Sequence, residues 1–396
     1  MNKSFYHAKL VEKDVINVMV FTSLLNFNIK SFYFVKDGEI FDTLTPNKTT
    51  SLNHMFLYEI KLKKPLEYGH HYEIYIPEFG LTALDINSAA SFEGFDEEFY
   101  YSGDDLGARY TKEKTTFKLW APLASEVKLV LYLDDEEEYI TMERLDKGVY
   151  YAVIEGDIAN IEYKYEVTNS EVARLVNDPY GFGTSLNSKR SAVIDLKSID
   201  KKYPSVKYKF DGELVDASIY ELHIRDFTID SHTNIKNKGK YLGLIEEGRK
   251  TDGDNPAGLD YLKFLGITHV QLLPVHDYAN VDDIDFKKTY NWGYDTIHYF
   301  SIEGSYSTNP SDPSERIKEF KQVVNKLHQN NIGVIMDVVY NHIFSYETHD
   351  FDKIVPSYYF RRTKDGKISA ASGCGDEIAS ERLMVRKLII DSLKYF

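Results

Sequence analysis

A carboxylate, an amide and an imidazole stand close together at the end of an apolar segment: Asp337, Asn341 and His342. The segment Ile332–Val339 is nearly unbroken by polar residues and is rich in β-branched side chains, which is typical of a strand buried on both faces of a parallel sheet. Because an unpaired carboxylate in such a strand costs several kcal/mol, we expect Asp337 to have a cationic or hydrogen-bonding partner. The alternative is a structural aspartate that caps a turn.

Three aromatic rings, an amide and a carboxylate are combined in Tyr290–Asp295, whose sequence is Y-N-W-G-Y-D. Pyranose rings stack their C–H faces on aromatic side chains, whereas their hydroxyl groups need charged or amide partners. The composition therefore fits sugar recognition. A loop that binds another protein has a similar composition, so the residues alone leave both interpretations open.

The elements that carry these two groups alternate between strand and helix. Apolar runs predict strands at Ala217–Ile224, Ile267–Val275 and Ile332–Val339, and helices at Gly258–Leu265 and Ser380–Phe396, the latter with Ser380 as its cap. A further helix is predicted between the second and third strands. It begins with Asp312 as cap, Pro313 as first residue and Glu315 as capping-box carboxylate. This alternation predicts a parallel sheet that begins a barrel. The two long connections, His276–Asp312 and Ile343–Ala379, leave from the carboxyl ends of the strands, where barrels place their chemistry.

The N-terminal half has the short, turn-separated strands of β-sandwich domains. Leu57–Leu62 and His71–Ile76 alternate apolar and polar residues around a segment with Pro65 and Gly69, so they are predicted to form a hairpin. Trp120 lies on an alternating strand, and we expect it to pack in a core rather than to stack on sugar. Further strands are predicted at Thr115–Trp120, Val127–Leu133, Val149–Ile154 and Ile161–Val167.

Length, charge and cysteine content exclude several classes of protein. A chain of 396 residues is too long for one ordinary core. The net charge of −15 argues against nucleic acid and anionic membrane as partners, and no apolar run approaches membrane-spanning length. The single cysteine, Cys374, fits a reducing compartment, and the first residues show no secretory signal, so we expect a cytoplasmic location.

Five short segments between residues 117 and 196 follow one another in a recognisable order. Together they resemble the carbohydrate-binding module of the family-48 type, which precedes the barrel in α-glucan-active enzymes. The resemblance leaves open whether this copy binds glucan or only packs on its neighbour. The segments are Phe117–Pro122, Gly148–Tyr151, Tyr163–Tyr165, Asn177–Tyr180 and Ser191–Leu196.

Tyr290–Asp295 and Asp337–His342, taken together, resemble the α-glucan hydrolases and transglycosylases of glycoside hydrolase family 13, and most specifically the type I pullulanases, which debranch α-1,6 links. Thr296 departs from the family pattern, where proline is usual, and so does Asp376-Glu377, where Asn-Asp is usual. Neither departure removes a ring or a carboxylate. Further segments match the same family: Tyr220–Phe227, Glu303–Tyr306, Ser372–Gly375 and Ala379–Arg382.

The resemblance implies a role for Tyr294 and for the polar residues Asp337, Asn341 and His342. Tyr294 resembles the ring that stacks on the sugar in the cleavage subsite, and His342 resembles the imidazole that hydrogen-bonds a hydroxyl group of that sugar. Asp337 resembles the carboxylate that orients the arginine beside the nucleophile, and Asn341 the residue that holds the loop. A histidine that only fixes a loop is the alternative for His342.

The remaining residues of the six-residue segment Tyr290–Asp295, the hexad, complete the predicted substrate-binding set. Trp292 and Asp295 are expected to shape the branch-point pocket, and Asn291 is included with them as a substrate-binding residue. No metal is assigned. Calcium is unassignable, because no acidic cluster has the spacing of a calcium-binding loop and transfer of the metal-ligating role of Asn341 from calcium-dependent relatives is unsafe.

Family 13 enzymes retain configuration with two carboxyl groups, a nucleophile and an acid/base. By the resemblance, both lie on strands that would follow Phe396, so we expect a truncated copy without hydrolase activity as given. The preferred function is that of a pullulanase-type hydrolase acting on pullulan, glycogen or branched dextrins. An isoamylase-like or branching enzyme is one alternative, and a non-catalytic α-glucan-binding protein is another.

The predicted architecture is therefore multidomain. Residues 1–100 form an N-terminal β domain, 101–205 a family-48-type β-sandwich, and 206–396 the first three βα units of an incomplete (β/α)8 barrel.

Overall fold

The N-terminal strands form one curved eight-stranded sheet. The structure, a computed structural model, describes residues 5–22, 28–52, 55–134, 136–363 and 365–396. The sheet has the order β4-β3-β7-β8-β1-β2-β6-β5, and β1 and β8 join its two halves through a short parallel pairing. The halves face each other, since the ring of Phe32 in β3 lies 5.1 Å from that of Tyr58 in β6. The strands are β1 (Phe5–Glu12), β2 (Val15–Phe21), β3 (Phe32–Lys36), β4 (Glu39–Leu44), β5 (Lys48–Leu52), β6 (Met55–Lys61), β7 (Tyr72–Ile76) and β8 (Gly80–Asp85).

The predicted hairpin between Leu57–Leu62 and His71–Ile76 is wrong. The two segments are strands, β6 and β7, but they lie in opposite halves of the sheet. β6 pairs along seven residues with β2, whose buried side chains alternate in the same register, and this long ladder outcompetes local pairing across the turn. Residues 62–71 cross between the halves instead, and the Leu62 amide donates to the Asp14 carbonyl.

A second β-sandwich follows, as predicted. One sheet has the order β13-β14-β10-β9 and the other β12-β11-β15-β18-β17, with β16 also on β15. The rings of Phe117 and Tyr163 meet between the sheets at 5.0 Å. Its elements, after α1 (Phe95–Phe99), are β9 (Gly107–Tyr110), β10 (Lys114–Trp120), β11 (Glu126–Leu133), β12 (Glu136–Thr141), β13 (Glu143–Arg144), β14 (Val149–Glu155), β15 (Glu162–Asn169), β16 (Val172–Val176), β17 (Gly183–Thr184), β18 (Ser191–Ala192) and α2 (Leu196–Lys202).

Trp120 packs in the core of this region, which confirms the expectation. It is only 3% exposed, and its indole N–H donates to the Phe99 carbonyl at 2.9 Å. Its ring also meets that of Tyr358 edge-on at 4.8 Å. The apolar core is thus continuous across the predicted limits of the domains, and the boundaries 1–100, 101–205 and 206–396 stay predictions.

The C-terminal part is built on a parallel three-stranded sheet with the order β19-β20-β23. Helices precede each later strand, which confirms the predicted start of a barrel. The elements are β19 (Ile219–Leu222), α3 (Ile224–Ile229), α4 (Tyr241–Leu244), α5 (Leu259–Leu265), β20 (His269–Leu272), β21 (His276–Tyr278), β22 (Thr296–Ile302), α6 (Glu315–Gln329), β23 (Gly333–Met336), β24 (His342–Ile343), α7 (Phe351–Ile354), β25 (Asp376–Glu377) and α8 (Leu383–Tyr395). No helix in the described part of the chain is both long and apolar enough to cross a membrane.

Two predicted helix starts lie too early. α6 begins at Glu315 without a capping box, because the Asp312 carboxylate accepts the backbone N–H and the hydroxyl of Ser314 and closes a turn before the helix. α8 begins at Leu383 with Arg382 at its cap position, where the Arg382 guanidinium pairs with Asp96 at 3.1 Å. Gly266 ends α5 in the left-handed conformation, with φ of 66°, as predicted.

A buried group of four ionisable side chains and one hydroxyl joins the second sandwich to the barrel unit. We call this group the junction cluster; it consists of Asp277, Asp283, Glu303, Arg316 and Thr184. Arg316 is 0% exposed, and its guanidinium donates to the Thr184 hydroxyl at 2.9 Å and lies 3.5 Å from Asp283. The Asp277 carboxylate accepts the same hydroxyl at 2.8 Å. Because Thr184 belongs to β17, the cluster fixes the sandwich against the carboxyl-end connections of the barrel unit.

Candidate functional site

The Tyr290–Asp295 segment lies in the connection between β21 and β22, which pair in antiparallel fashion beyond the end of β20. Gly293 is essential to its path. Its φ is 97°, and a β-carbon there would lie 2.5 Å from the Pro274 carbonyl oxygen. The backbone at Gly293 therefore presses against the end of β20 and directs the following residue, Tyr294, toward the sheet.

Two of the predicted substrate-binding residues brace this loop from within. The Asn291 amide donates to the Asp295 carboxylate at 2.8 Å and to the Ala279 carbonyl at 3.0 Å, while its oxygen accepts the Gly293 N–H at 2.9 Å. These hydrogen bonds fix the loop conformation. A direct contact of Asn291 or Asp295 with substrate stays a prediction.

Tyr294 and Asp337 are brought into direct contact. The Tyr294 hydroxyl donates to the Asp337 carboxylate at 2.8 Å, so the predicted hydrogen-bonding partner of Asp337 is confirmed. The Asp337 N–H continues the parallel pairing by donating to the Leu272 carbonyl at 3.0 Å. Burial and the adjacent carboxylate raise the pKa of Tyr294 to about 12, so the phenol stays protonated and remains a donor.

The other two rings of the hexad face solvent. Trp292 is 61% exposed and Tyr290 is 48% exposed. The Tyr290 hydroxyl donates to the Asp226 carboxylate at 2.6 Å, and the Arg225 guanidinium lies 5.2 Å from the Tyr290 ring centre. Exposed aromatic side chains with a fixed orientation are what stacking on an apolar ligand face requires. We call Tyr290–Asp295 together with Asp337 the loop site.

His342 and Asn341 occupy the next connection. His342 is buried and pairs with Glu377 in the short β24–β25 ladder. Its Nδ1 has no hydrogen-bond partner among the described residues. Asn341 is exposed, and its carbonyl accepts the Ile378 N–H at 3.2 Å. Within the described chain neither side chain hydrogen-bonds to Tyr294 or Asp337, so their predicted part in the site stays a prediction.

Sequence reasoning missed the residues that support the loop from below. His223, at the end of β19, has its Nε2 3.1 Å from the Asn291 carbonyl oxygen and 2.9 Å from the Tyr306 hydroxyl. The Tyr278 hydroxyl donates to that of Tyr306 at 2.9 Å. The segments Tyr220–Phe227 and Glu303–Tyr306 had matched the family pattern, but their contact with the hexad is visible only in three dimensions.

One group of three potential metal ligands occurs in the described residues, and it lies away from the loop site. His71, Glu73 and Glu171 place their ligand atoms within 4.8 Å of one another, between the first and second sandwiches. The carboxylates that border the exposed rings are engaged differently, since Asp226 and Asp337 each accept a tyrosine hydroxyl. Calcium therefore stays unassigned at the loop site.

Comparison with known families and structures agrees with this arrangement. Residues 105–181 match carbohydrate-binding module 48 (isoamylase N-terminal domain), and residues 256–369 match the alpha amylase catalytic domain. The pullulanase of Bacillus subtilis (strain 168) is 39% identical over 365 residues, which are 92% of this chain and 50% of that protein. The chain is a relative of the type I pullulanases.

Solved structures extend the same relationship to the fold. The crystal structure of a pullulanase from Anoxybacillus sp. LM18-11, complexed with maltotriose, superposes with a TM-score of 0.92 at 38% identity and covers 99% of this chain and 56% of that one. The rice protein isoamylase 1 is more distant, at 30% identity over 74% of this chain and 40% of its own length. The chain spans about half the length of these two pullulanases.

Proposed function

We propose that this chain provides the glucan-binding side of a pullulanase-type hydrolase site, which cleaves α-1,6 branch links in pullulan, glycogen or limit dextrins with retention of configuration. The contact between Tyr294 and Asp337 at the end of β23 carries the proposal. It places an oriented aromatic ring at the carboxyl end of a parallel sheet, beside two further exposed rings. The 39% identity with the pullulanase of Bacillus subtilis, over 92% of this chain, supports debranching of the pullulanase type.

Each residue of the loop site has a physical part in this proposal. The Tyr294 ring stacks on the sugar in the cleavage subsite, and its hydroxyl keeps Asp337 oriented toward a cationic neighbour. Trp292 offers a further face to the branch, while Asn291 and Asp295 keep the loop in shape. His342 is proposed, from the resemblance, to hydrogen-bond a hydroxyl group of that sugar; its imidazole is buried, and its Nδ1 has no hydrogen-bond partner among the residues that the structure describes.

We also propose that the 396-residue chain does not hydrolyse α-1,6 links by itself. Retaining hydrolysis needs two carboxyl groups about 5–5.5 Å apart, one as nucleophile and one as acid/base. The described carboxylates next to the rings are Asp226, Asp295 and Asp337. They accept hydrogen bonds from Tyr290, Asn291 and Tyr294, respectively, and orient these three side chains. A cytoplasmic location is proposed from the cysteine content, and cell fractionation tests it.

Calorimetric titration of the chain with maltotriose tests the binding proposal. The wild-type chain is expected to bind, and Tyr294→Ala to weaken binding at least about tenfold through loss of the stacking face. Tyr139→Ala is the matched control, because Tyr139 is an exposed tyrosine of β12 that also donates to a carboxylate. Equal affinity of the wild-type chain and Tyr294→Ala for maltotriose would contradict the binding proposal. Release of reducing ends from pullulan by the chain would contradict the proposal that it does not hydrolyse α-1,6 links by itself.

A further inference from the structure

His223 contacts the loop site from below, although no part of the proposed function uses it. We propose that His223 is the positioning residue of the Tyr290–Asp295 loop, and that it sets the orientation of Trp292 and Tyr290 through one imidazole that caps α3 and binds the loop backbone. This inference rests on the proposed function for its consequence on glucan binding. The positioning itself depends on geometry alone.

The imidazole bridges two elements. His223 follows β19 directly and is buried. Its Nδ1 accepts the Asp226 N–H at 3.3 Å, which makes it the cap of α3. On the other side of the ring, Nε2 lies 3.1 Å from the Asn291 carbonyl oxygen. The residue next to Asn291 in the chain is Trp292, so the bridge ends one residue before the most exposed ring of the loop.

These contacts specify one charge state. Because Nδ1 accepts a backbone N–H, the neutral ring carries its proton on Nε2, where it can be donated to the Asn291 carbonyl. A protonated ring would carry a second proton on Nδ1, facing the Asp226 N–H, and would lose the cap. Burial lowers the pKa of His223. The Asp226 carboxylate and the hydrogen bond to the Asn291 carbonyl oppose that shift and Arg225 reinforces it, so the pKa is lowered overall and the neutral state is favoured at neutral pH.

Aromatic neighbours restrict the ring further. The Tyr306 hydroxyl lies 2.9 Å from Nε2 and is itself held by the Tyr278 hydroxyl, so the imidazole cannot rotate without losing a buried hydrogen bond. The Tyr290 ring lies 5.4 Å from the imidazole, and its hydroxyl donates to Asp226, the residue whose N–H the imidazole accepts. The β19–α3 junction thus binds the loop at its backbone and at one side chain.

Two isosteric variants separate the two halves of the role. In His223→Asn the amide oxygen replaces Nδ1 and keeps a good helix cap, but the side chain is too short to reach the Asn291 carbonyl. In His223→Gln the amide N–H replaces Nε2 and keeps the contact with the loop, while the cap is weakened. Both variants remove the imidazole, so a loop that is better ordered in His223→Gln than in His223→Asn reports the loop contact and not the cap.

The fluorescence anisotropy of Trp292 in the full 396-residue chain reads the loop directly. The sequence has two tryptophans, and the other, Trp120, is buried, so the signal lost in Trp292→Phe is that of the loop. We expect lower anisotropy in His223→Asn and wild-type anisotropy in His223→Gln. Maltotriose affinity should fall about tenfold in His223→Asn and less than about threefold in His223→Gln.

The pH dependence of the Trp292 anisotropy supplies a second check. Burial lowers the pKa of His223 below the ordinary 6.5, so the folded ring is protonated, and the cap displaced, only at pH values below 6.5. There the Trp292 anisotropy should fall while that of His223→Gln stays level. Unchanged anisotropy in His223→Asn, or an equal loss in His223→Gln, would overturn the positioning role. If the wild-type chain fails to bind maltotriose, the proposed function fails, and the Trp292 readings still decide this inference.

Discussion

The loop site and the junction cluster are made of similar side chains, yet they lie in opposite environments. Both contain carboxylates that accept hydrogen bonds from hydroxyl groups. In the loop site the partners are exposed or half-buried rings, whereas in the junction cluster Arg316 and Asp277 are sealed from solvent. The difference teaches that burial, more than residue type, decides whether a polar group is available to a ligand or serves the fold.

The largest expected effect is on the sealed side. Arg316→Ala leaves Asp277 and Asp283 buried without their cation, and we expect it to lower the free energy of unfolding by about 3–5 kcal/mol. Urea unfolding measures the change. The matched control is Arg361→Ala, which breaks the exposed pair with Glu381 and should cost less than about 1 kcal/mol. Similar losses in the two variants would remove the contrast between the regions.

The stability of the protein is expected to depend on pH through a second buried group, His276, which precedes Asp277 of the junction cluster in the chain. His276 is 0% exposed, and burial lowers its pKa to about 4 from the 6.5 of an unfolded chain. The folded pKa is the lower one, so the stability contribution is complete above pH 6.5 and is lost as the pH falls toward 4, by up to about 3 kcal/mol.

Urea unfolding at several pH values checks this, with His276→Phe as the comparison. The buried carboxyl groups of Asp283 and Glu303, whose pKa values burial raises to about 6 and about 8, act in the opposite direction and are common to both proteins. The difference between the two proteins therefore isolates His276. A wild-type curve parallel to that of His276→Phe between pH 6.5 and 4 would contradict the prediction.

A smaller effect on stability is expected at the loop site. Tyr294→Phe removes the hydroxyl that donates to Asp337 but keeps the ring, so the free energy of unfolding should fall by about 1 kcal/mol. Maltotriose affinity should change less than it does in Tyr294→Ala, because the stacking face remains. A loss of stability as large as that of Arg316→Ala would show that the loop site is structural.

The smallest change in stability is expected for Trp292→Ala. An exposed side chain away from caps and cores contributes within about 0.5 kcal/mol, and thermal unfolding should detect little difference. Calorimetry with maltotriose should nevertheless show a several-fold loss of affinity. Marked destabilisation with unchanged affinity would reverse the comparison between the two regions.

The sequence predicted those features whose cause is local or pairwise. An apolar strand with one carboxylate required a partner for Asp337, and the alternation around Trp120 required a core position; both are confirmed. Gly266 after an apolar helix predicted the end of α5. Family motifs pointed to Tyr290–Asp295, because these six residues are contiguous in the chain.

Features that depend on distant segments could not be read in the same way. β6 chose β2 over its neighbour β7, and Arg316 finds Thr184 across more than a hundred residues, so no spacing rule reveals either contact. His223 was visible only as part of a matching segment. Its position below Asn291 depends on the register of β19 against β20 and on the path that Gly293 gives the loop.

A titration of the chain with maltotriose, followed by the fluorescence of Trp292, tests most directly whether the loop site binds sugar. We expect a saturable change in Trp292 emission that is absent in Trp292→Phe and strongly weakened in Tyr294→Ala. Maltotriose binding that calorimetry detects while Trp292 emission stays constant would place the sugar elsewhere and contradict sugar binding at the loop site.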